Sequence, residues 1–204
     1  MGKAKKKNEE CFPPSLLLSS ERNSIRFETL LPDRIWILHN FLTHEECQAW
    51  IQYIEQDITM YLTQQRGNKY YAQRECYRFQ RNDESMSHRI YERLRDHCQV
   101  LPLGPPIMCN PNLRLYKYTK GMSFGKHVDE SQVIPGWGKT RVTVLIYLSE
   151  CQGGATSFES NVAFLPKEGA MLLHVHGDDC LEHEGKPVKG GIKYILRTDL
   201  VYAN

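Results

Sequence analysis

Residues 112–129 read NLRLYKYTKGMSFGKHVD. An alternating apolar run ends there in His127-Val128-Asp129, a His-x-Asp pair. A partner stretch, residues 180–199, reads CLEHEGKPVKGGIKYILRTD and places His183 just ahead of a second run, 183 − 127 = 56 residues downstream. Two imidazoles and one carboxylate on separate strands suit an open-faced iron site. A mid-sized divalent ion takes all three on one octahedral face and keeps the opposite positions for other ligands. Alternate residues of a strand project to one side, so His127 and Asp129 are expected to grip the ion while Val128 packs behind.

Working outward, the chain changes character at Ile107. Strands are expected over Leu113–Tyr118, Arg141–Ser149, Ala155–Phe158, Ala170–His174 and Ile192–Tyr202, divided by turns containing Gly, Pro or Asp. That spacing indicates a sandwich or barrel. Upstream, Arg34–Leu38 is expected as a first strand. Thr43 and Glu46 form a capping box ahead of Cys47, Trp50, Ile51 and Ile54 at helical spacing. A second helix is expected over 84–98, with Met86, Ile90, Tyr91 and Leu94 inward, before Pro102, Gly104, Pro105 and Pro106 break the chain. Residues 64–83 have no clean period beyond a short strand at Cys76–Phe79. They read as a loop at a substrate entrance, with Tyr70, Tyr71, Arg74 and Arg78 as contacts. Gly136-Trp137-Gly138 reads as a flap carrying an aromatic over the metal. Residues 1–25 hold charge, Pro13-Pro14 and serines without periodicity, and are expected as a disordered basic leader.

The fold class is therefore α+β, mainly β, with helices first and one domain over 26–204 whose β core spans about 107–204. Two hundred and four residues suit a single core. Seven cysteines at 11, 47, 76, 98, 109, 151 and 180 contain no C-x-x-C pair. Reduced thiols and a cytoplasmic or nuclear setting are expected from that pattern. Leu16–Leu18 is too short for a signal-peptide core, and no apolar run reaches membrane-spanning length. A net charge of +2, with the excess at Lys3, Lys5, Lys6 and Lys7, gives no nucleic-acid signal beyond that tail.

The ordered set Tyr118, Gly121, Phe124, His127-Val128-Asp129, Thr143 to Leu148, Gly153-Gly154-Ala155-Thr156, Pro166, Gly169 to His174, His183-Glu184-Gly185, Pro187-Val188, Gly191 and Lys193-Tyr194 resembles the prolyl-4-hydroxylase-like branch of the 2-oxoglutarate/Fe(II) dioxygenases. The likeness covers about residues 112–202. It implies a double-stranded β-helix (jelly roll) with N-terminal supporting helices, and Fe(II) held by His127, Asp129 and His183. It also implies 2-oxoglutarate and O2 as co-substrates and ascorbate as a reductant. The far carboxylate of 2-oxoglutarate needs a buried cation. Lys193, ten residues after His183, stands where this branch carries its basic anchor. Arg197 lies four further along the same face and is the alternative, unless it pairs with Asp199 on the surface. Tyr118, Tyr147 and, more weakly, Thr143 match co-substrate contacts. Trp137, Arg78 and His174 are candidate substrate contacts, and His174 and His176 are also candidates to support the metal ligands. The chain departs from the branch at Ala155, where Glu is usual, and at Phe124, where Tyr is common.

The expected reaction is hydroxylation of an aliphatic C–H in a prolyl or other amino-acid side chain, carried by a protein or peptide or by a small molecule. Two other readings compete. One is oxidative demethylation of nucleic acid or methyl-lysine, which the near-neutral charge argues against. The other is a non-catalytic scaffold binding 2-oxoglutarate or metal, which has no need for a complete triad and its cation.

Overall fold

The computed structural model describes residues 11–17, 24–69 and 71–203. Arg26–Leu31 (β1), Ile35–His39 (β2), His44–Gln56 (α1), Tyr61–Gln65 (β3), Arg74–Asn82 (β4) and Glu84–Leu94 (α2) come first. Met108–Cys109 (β5), Asn112–Tyr118 (β6), Phe124–His127 (β7), Val133–Ile134 (β8) and Gly138–Tyr147 (β9) follow. Gln152–Gly153 (β10), Thr156–Phe158 (β11), Ala163–Phe164 (β12) and Met171–Val175 (β13) lead to His183–Gly185 (β14), Val188–Gly190 (β15) and Lys193–Tyr202 (β16).

All pairings are antiparallel, in the order β1-β2-β13-β9-β16-β6-β4, with β3 beyond β4. A smaller sheet, β7-β14-β11-β12, joins the larger where Arg74 of β4 stands opposite Phe124 of β7. This is the jelly roll expected from the sequence. Each central strand of the larger sheet is buried on both faces, so its period-two pattern separates two kinds of interior. Val142, Val144 and Ile146 of β9, with Trp36, Leu38, Leu115 and Leu196, pack against Trp50 and Ile54 of α1 and Ile90 and Leu94 of α2. The opposite face carries Tyr147, Tyr116, Ile195, Ile37 and Leu172 toward the smaller sheet, where Phe158 meets them. The site lies in that second layer.

Helix α1 begins as expected. The Thr43 hydroxyl accepts from the Glu46 amide, and the Glu46 carboxylate accepts from the Thr43 amide. Glu46 also takes both guanidinium nitrogens of Arg93 from α2, which ties the two helices together. Helix α2 starts at Glu84 with Asp83 as its cap, and gives way to 3-10 turns from Arg95 to Val100 rather than running to Cys98.

Two expectations are corrected. Residues 64–83 are mostly a β-hairpin of β3 and β4, not a loop, and Tyr70 lies outside the described residues. Its strands hid because they are largely exposed or half-buried: Tyr61, Leu62 and Gln64 of β3 face solvent, and β4 turns Arg78, Gln80 and Asn82 to a polar cleft, which breaks the apolar alternation. The supposed disordered leader is in part packed. Residues 1–10 and 18–23 lie outside the described residues, but Phe12, Leu16 and Leu17 are buried. The Phe12 ring meets Trp50 at 5.2 Å, Tyr53 at 5.7 Å and Phe79 at 6.3 Å, and its amide donates to the Asp83 carboxylate. A short anchor of three apolar residues shows no period, so composition alone reads it as coil.

Phe12→Ala is therefore expected to cost about 3 kcal/mol of stability, read as a lowered urea midpoint. An unchanged midpoint would mean that the anchor adds nothing to the fold.

Candidate active site

His127 closes β7 and His183 opens β14, and the two are register partners with ring centroids 4.3 Å apart. Each imidazole hands its Nδ1 to a backbone carbonyl two residues earlier, Gly125 at 2.8 Å and Leu181 at 3.0 Å. Such a bond makes Nδ1 the protonated nitrogen and leaves the Nε2 lone pair facing inward. Both Nε2 atoms face Asp129, at 3.8 Å and 3.6 Å, beyond direct hydrogen-bonding distance. One donor atom from each of the three residues lies within 4.8 Å of the others. Strand β7 ends at His127, so Asp129 lies just past the strand, and Val128 is exposed instead of packing behind the pair.

Burial pushes the His127 pKa down to about 4, with His183 adding to the effect, and burial likewise lowers His183. Both rings are thus neutral near pH 7, the form that donates a lone pair to a metal. For Asp129, burial opposes the charge, but the Arg197 guanidinium and the surrounding imidazoles hold its carboxyl well below the usual range. Arg197 approaches Oδ1 at 3.0 Å, and the Thr143 hydroxyl donates to Oδ2 at 2.9 Å.

The sequence reading gave Phe124 and Arg74 no place beside the ligands, and it did not find Cys180 or Arg114. The Phe124 ring stacks on His127 at 3.6 Å with an 18° tilt, and the Arg74 guanidinium covers the other face of Phe124 at 3.7 Å. The Cys180 thiol accepts from the Asp129 amide at 3.3 Å. Arg114 pairs with Asp199, which also meets Arg197 at 3.4 Å. Asp199 is buried, so the Arg197 pair expected at the surface is an interior one; the strand carries both charges into the barrel. Alternation along β6 and β16 was the available signal for Arg114.

Lys193 is buried beside this cluster. Its ammonium donates to the Gly154 carbonyl at 2.6 Å and sits 5.5 Å and 5.6 Å from the ring centroids of Tyr118 and Tyr147. Burial lowers its pKa to about 8. Gly154 has φ of 65°, and a Cβ there would stand 2.8 Å from the Cys151 thiol and 3.3 Å from the Lys193 chain, so the approach needs glycine. Lys193, Arg197, Tyr118, Thr156 and Phe124 line one cavity with His127, Asp129 and His183.

Other expected residues are placed differently. The Tyr147 hydroxyl is taken by Thr156 at 2.8 Å. His176 bridges Thr143 and Thr140 at 2.9 Å each, a supporting position. His174 is buried, with Nε2 3.5 Å from Asp129 Oδ2. Trp137 sits exposed on the β8–β9 turn and does not line the cavity. Arg78 lines a separate polar cleft with Gln80, Asn82, Asn112, Arg114 and Gln132.

Residues 113–198 match the family model of the 2OG-Fe(II) oxygenase superfamily. The chain carries that superfamily's domain over this stretch. It is a 2-oxoglutarate/Fe(II) dioxygenase, and the family implies Fe(II), 2-oxoglutarate and O2. Similar solved structures include the viral collagen prolyl hydroxylase of Paramecium Bursaria Chlorella virus-1 in its 2OG complex. It has TM-score 0.62 and 17% identity, over 83% of this chain and 97% of that one. A Pseudomonas putida prolyl-4-hydroxylase has TM-score 0.59 and 14% identity, over 82% and 92%. A Trichoplax adhaerens prolyl hydroxylase, in complex with a hypoxia inducible factor peptide fragment, has TM-score 0.58 and 16% identity, over 83% and 84%. Comparison with curated protein sequences finds no match. The dioxygenase thus has the fold of prolyl hydroxylases. No helix among its described residues is long and apolar enough to cross a membrane.

Replacing Arg197 by Met leaves the Asp129 carboxylate buried without its cation. Removing one partner of a buried pair costs about 3–5 kcal/mol, so the metal-free variant is expected to unfold at much lower urea. An excess of Mn(II) should recover part of the loss by supplying a positive charge. An unchanged midpoint would mean that the pair does not hold the site together.

Proposed function

We propose that His127, Asp129 and His183 hold Fe(II) and that Lys193 receives the far carboxylate of 2-oxoglutarate. The dioxygenase then hydroxylates an aliphatic C–H in a prolyl or other amino-acid side chain. The donor set fits the ion: two imidazoles with Nδ1 already engaged, and one carboxylate held as an anion. The observation that carries the co-substrate reading is the state of the two cations. Among the described residues Arg197 already meets two carboxylates, whereas Lys193 meets a carbonyl and no carboxylate. A buried ammonium without a counter-ion is costly, and a dicarboxylic acid entering the same cavity supplies one. Arg197 then serves Asp129 rather than the co-substrate.

When bound, the iron and 2-oxoglutarate supply the oxidising power, with release of succinate and CO2. The chain's own residues orient and shield. Thr143 and Arg197 fix the Asp129 carboxylate, Phe124 covers one face of His127, and Phe158 packs near both His174 and His183. These walls keep bulk water from the reacting centre.

The polar cleft lined by Arg78, Gln80, Asn82, Asn112, Arg114 and Gln132 supports an extended peptide as substrate. Its amide and guanidinium groups match main-chain carbonyls and amides. The Trichoplax prolyl hydroxylase, whose fold this chain shares, is described with a peptide bound.

Anaerobic Fe(II) with 2-oxoglutarate is expected to give a visible charge-transfer band, and admission of O2 to give succinate. Absence of the band in iron-loaded, folded protein would overturn the reading. Lys193→Ala is expected to raise the KM for 2-oxoglutarate at least tenfold while kcat changes less. A larger rise from Arg197→Ala would transfer the anchor role. Lys193 carries its charge below about pH 8. The Kd for 2-oxoglutarate should therefore climb as pH rises past that value, and a flat profile between pH 7 and 9 would contradict a lysine anchor.

A further inference from the structure

Two side chains next to the triad, His174 and Cys180, have no part in holding the iron, and with the triad's own His183 they form a second cluster. One donor atom of each lies within 4.8 Å of the others. His174 is 1% exposed, and its Nε2 has no hydrogen-bond partner. Its Nδ1 reaches the Val175 carbonyl at 3.2 Å, its ring lies edge-on to His183 with centroids 4.5 Å apart, and Nε2 points at Asp129 Oδ2 at 3.5 Å. A buried donor or acceptor left unmatched is costly. The atom is thus poised for a ligand that the iron triad does not provide.

The thiol is held in place by the loop that carries it. The Gly177 amide donates to the Asp129 carbonyl at 2.9 Å, and the Cys180 amide donates to the Gly177 carbonyl at 3.0 Å. The Asp129 amide donates back to the Cys180 sulfur at 3.3 Å. Cys180 is therefore clamped to the backbone of the very residue whose carboxylate lies between the two imidazoles.

We propose that His174, Cys180 and His183 form a second metal site, selective for zinc, which excludes iron from the triad because both sites require Nε2 of His183. Asp129 Oδ2, 3.5 Å and 3.6 Å from the two imidazole nitrogens, completes four donors. A tetrahedral zinc site with bonds of about 2.0–2.3 Å separates its donors by roughly 3.3–3.8 Å. The two histidine-to-carboxylate distances already lie in that range. A thiolate with two imidazoles favours zinc over Fe(II) by ligand softness and by the affinity order of the divalent metals. Binding forms Zn–S and Zn–N bonds, and the thiol proton leaves to solvent, with no change of oxidation state. The exclusion of iron rests on the iron assignment above. The zinc site itself does not.

Zinc-loaded wild-type protein would be examined by X-ray absorption at the zinc edge. One sulfur at about 2.3 Å with nitrogen and oxygen neighbours is expected; a shell without sulfur would overturn the proposal. In His127→Ala, where the triad is broken, Co(II) is expected to give a thiolate-to-cobalt band and tetrahedral ligand-field absorption. Both should vanish on adding Cys180→Ser, and Zn(II) affinity, measured against a chromophoric chelator, should fall at least tenfold with either Cys180→Ser or His174→Ala. Equal zinc affinity in those variants would overturn the proposal. If zinc shows its sulfur while Fe(II) with 2-oxoglutarate shows no band, the zinc site stands and the dioxygenase site assignment falls. The reverse result removes the zinc site alone.

Discussion

Burying the Asp129 carboxylate is the constraint on which the rest of the interior depends. An isolated carboxylate is expensive in a low-dielectric core, and here it is held by a guanidinium, a hydroxyl and converging imidazoles. The demand propagates. Arg197 needs a second carboxylate at Asp199, Asp199 takes Arg114, and Thr143 is shared with His176. A chain of alternating charges thus runs from the candidate metal centre toward the polar cleft. The jelly roll accommodates it because β6, β9 and β16 present one polar and one apolar face, so the charges occupy one layer and the helix-backed core stays dry.

That arrangement divides the labour between two cations on one strand. Lys193 and Arg197 point into the same cavity, as period two requires, yet they differ in what surrounds them. Arg197 is consumed by fixed carboxylates, and its planar fork suits that bracing role. Lys193 lies against tyrosine rings and a glycine carbonyl, a lining that supports the proposed co-substrate role. One residue holds the site in shape and the other is left with charge to offer.

The same crowding explains the ambiguity of His183. It sits where strands from the smaller sheet meet the loop before β14, and faces His127 on one side and His174 with Cys180 on the other. A ligand strand placed between two donor groups can serve either, and the hardness of the arriving metal decides which.

Much of this was legible in the chain. His127, Asp129 and His183 stood out by type and spacing, the family resemblance pointed to Lys193 and Arg197, the capping box of α1 was readable, and five strands of the second half were expected within a few residues of where they lie. Those features are local or periodic, so the sequence by itself determined the fold class and put forward three candidate ligands and two candidate cations. It could not reveal β3 and β4, which are largely exposed or half-buried and turn polar side chains to solvent or to a cleft, nor the packing of Phe12. It also left open which cation is paired and missed the nearness of Cys180 to the carboxylate. Only the tertiary structure decided these, because each depends on partners far apart along the chain, and burial and pairing are properties of the closed barrel rather than of any one strand.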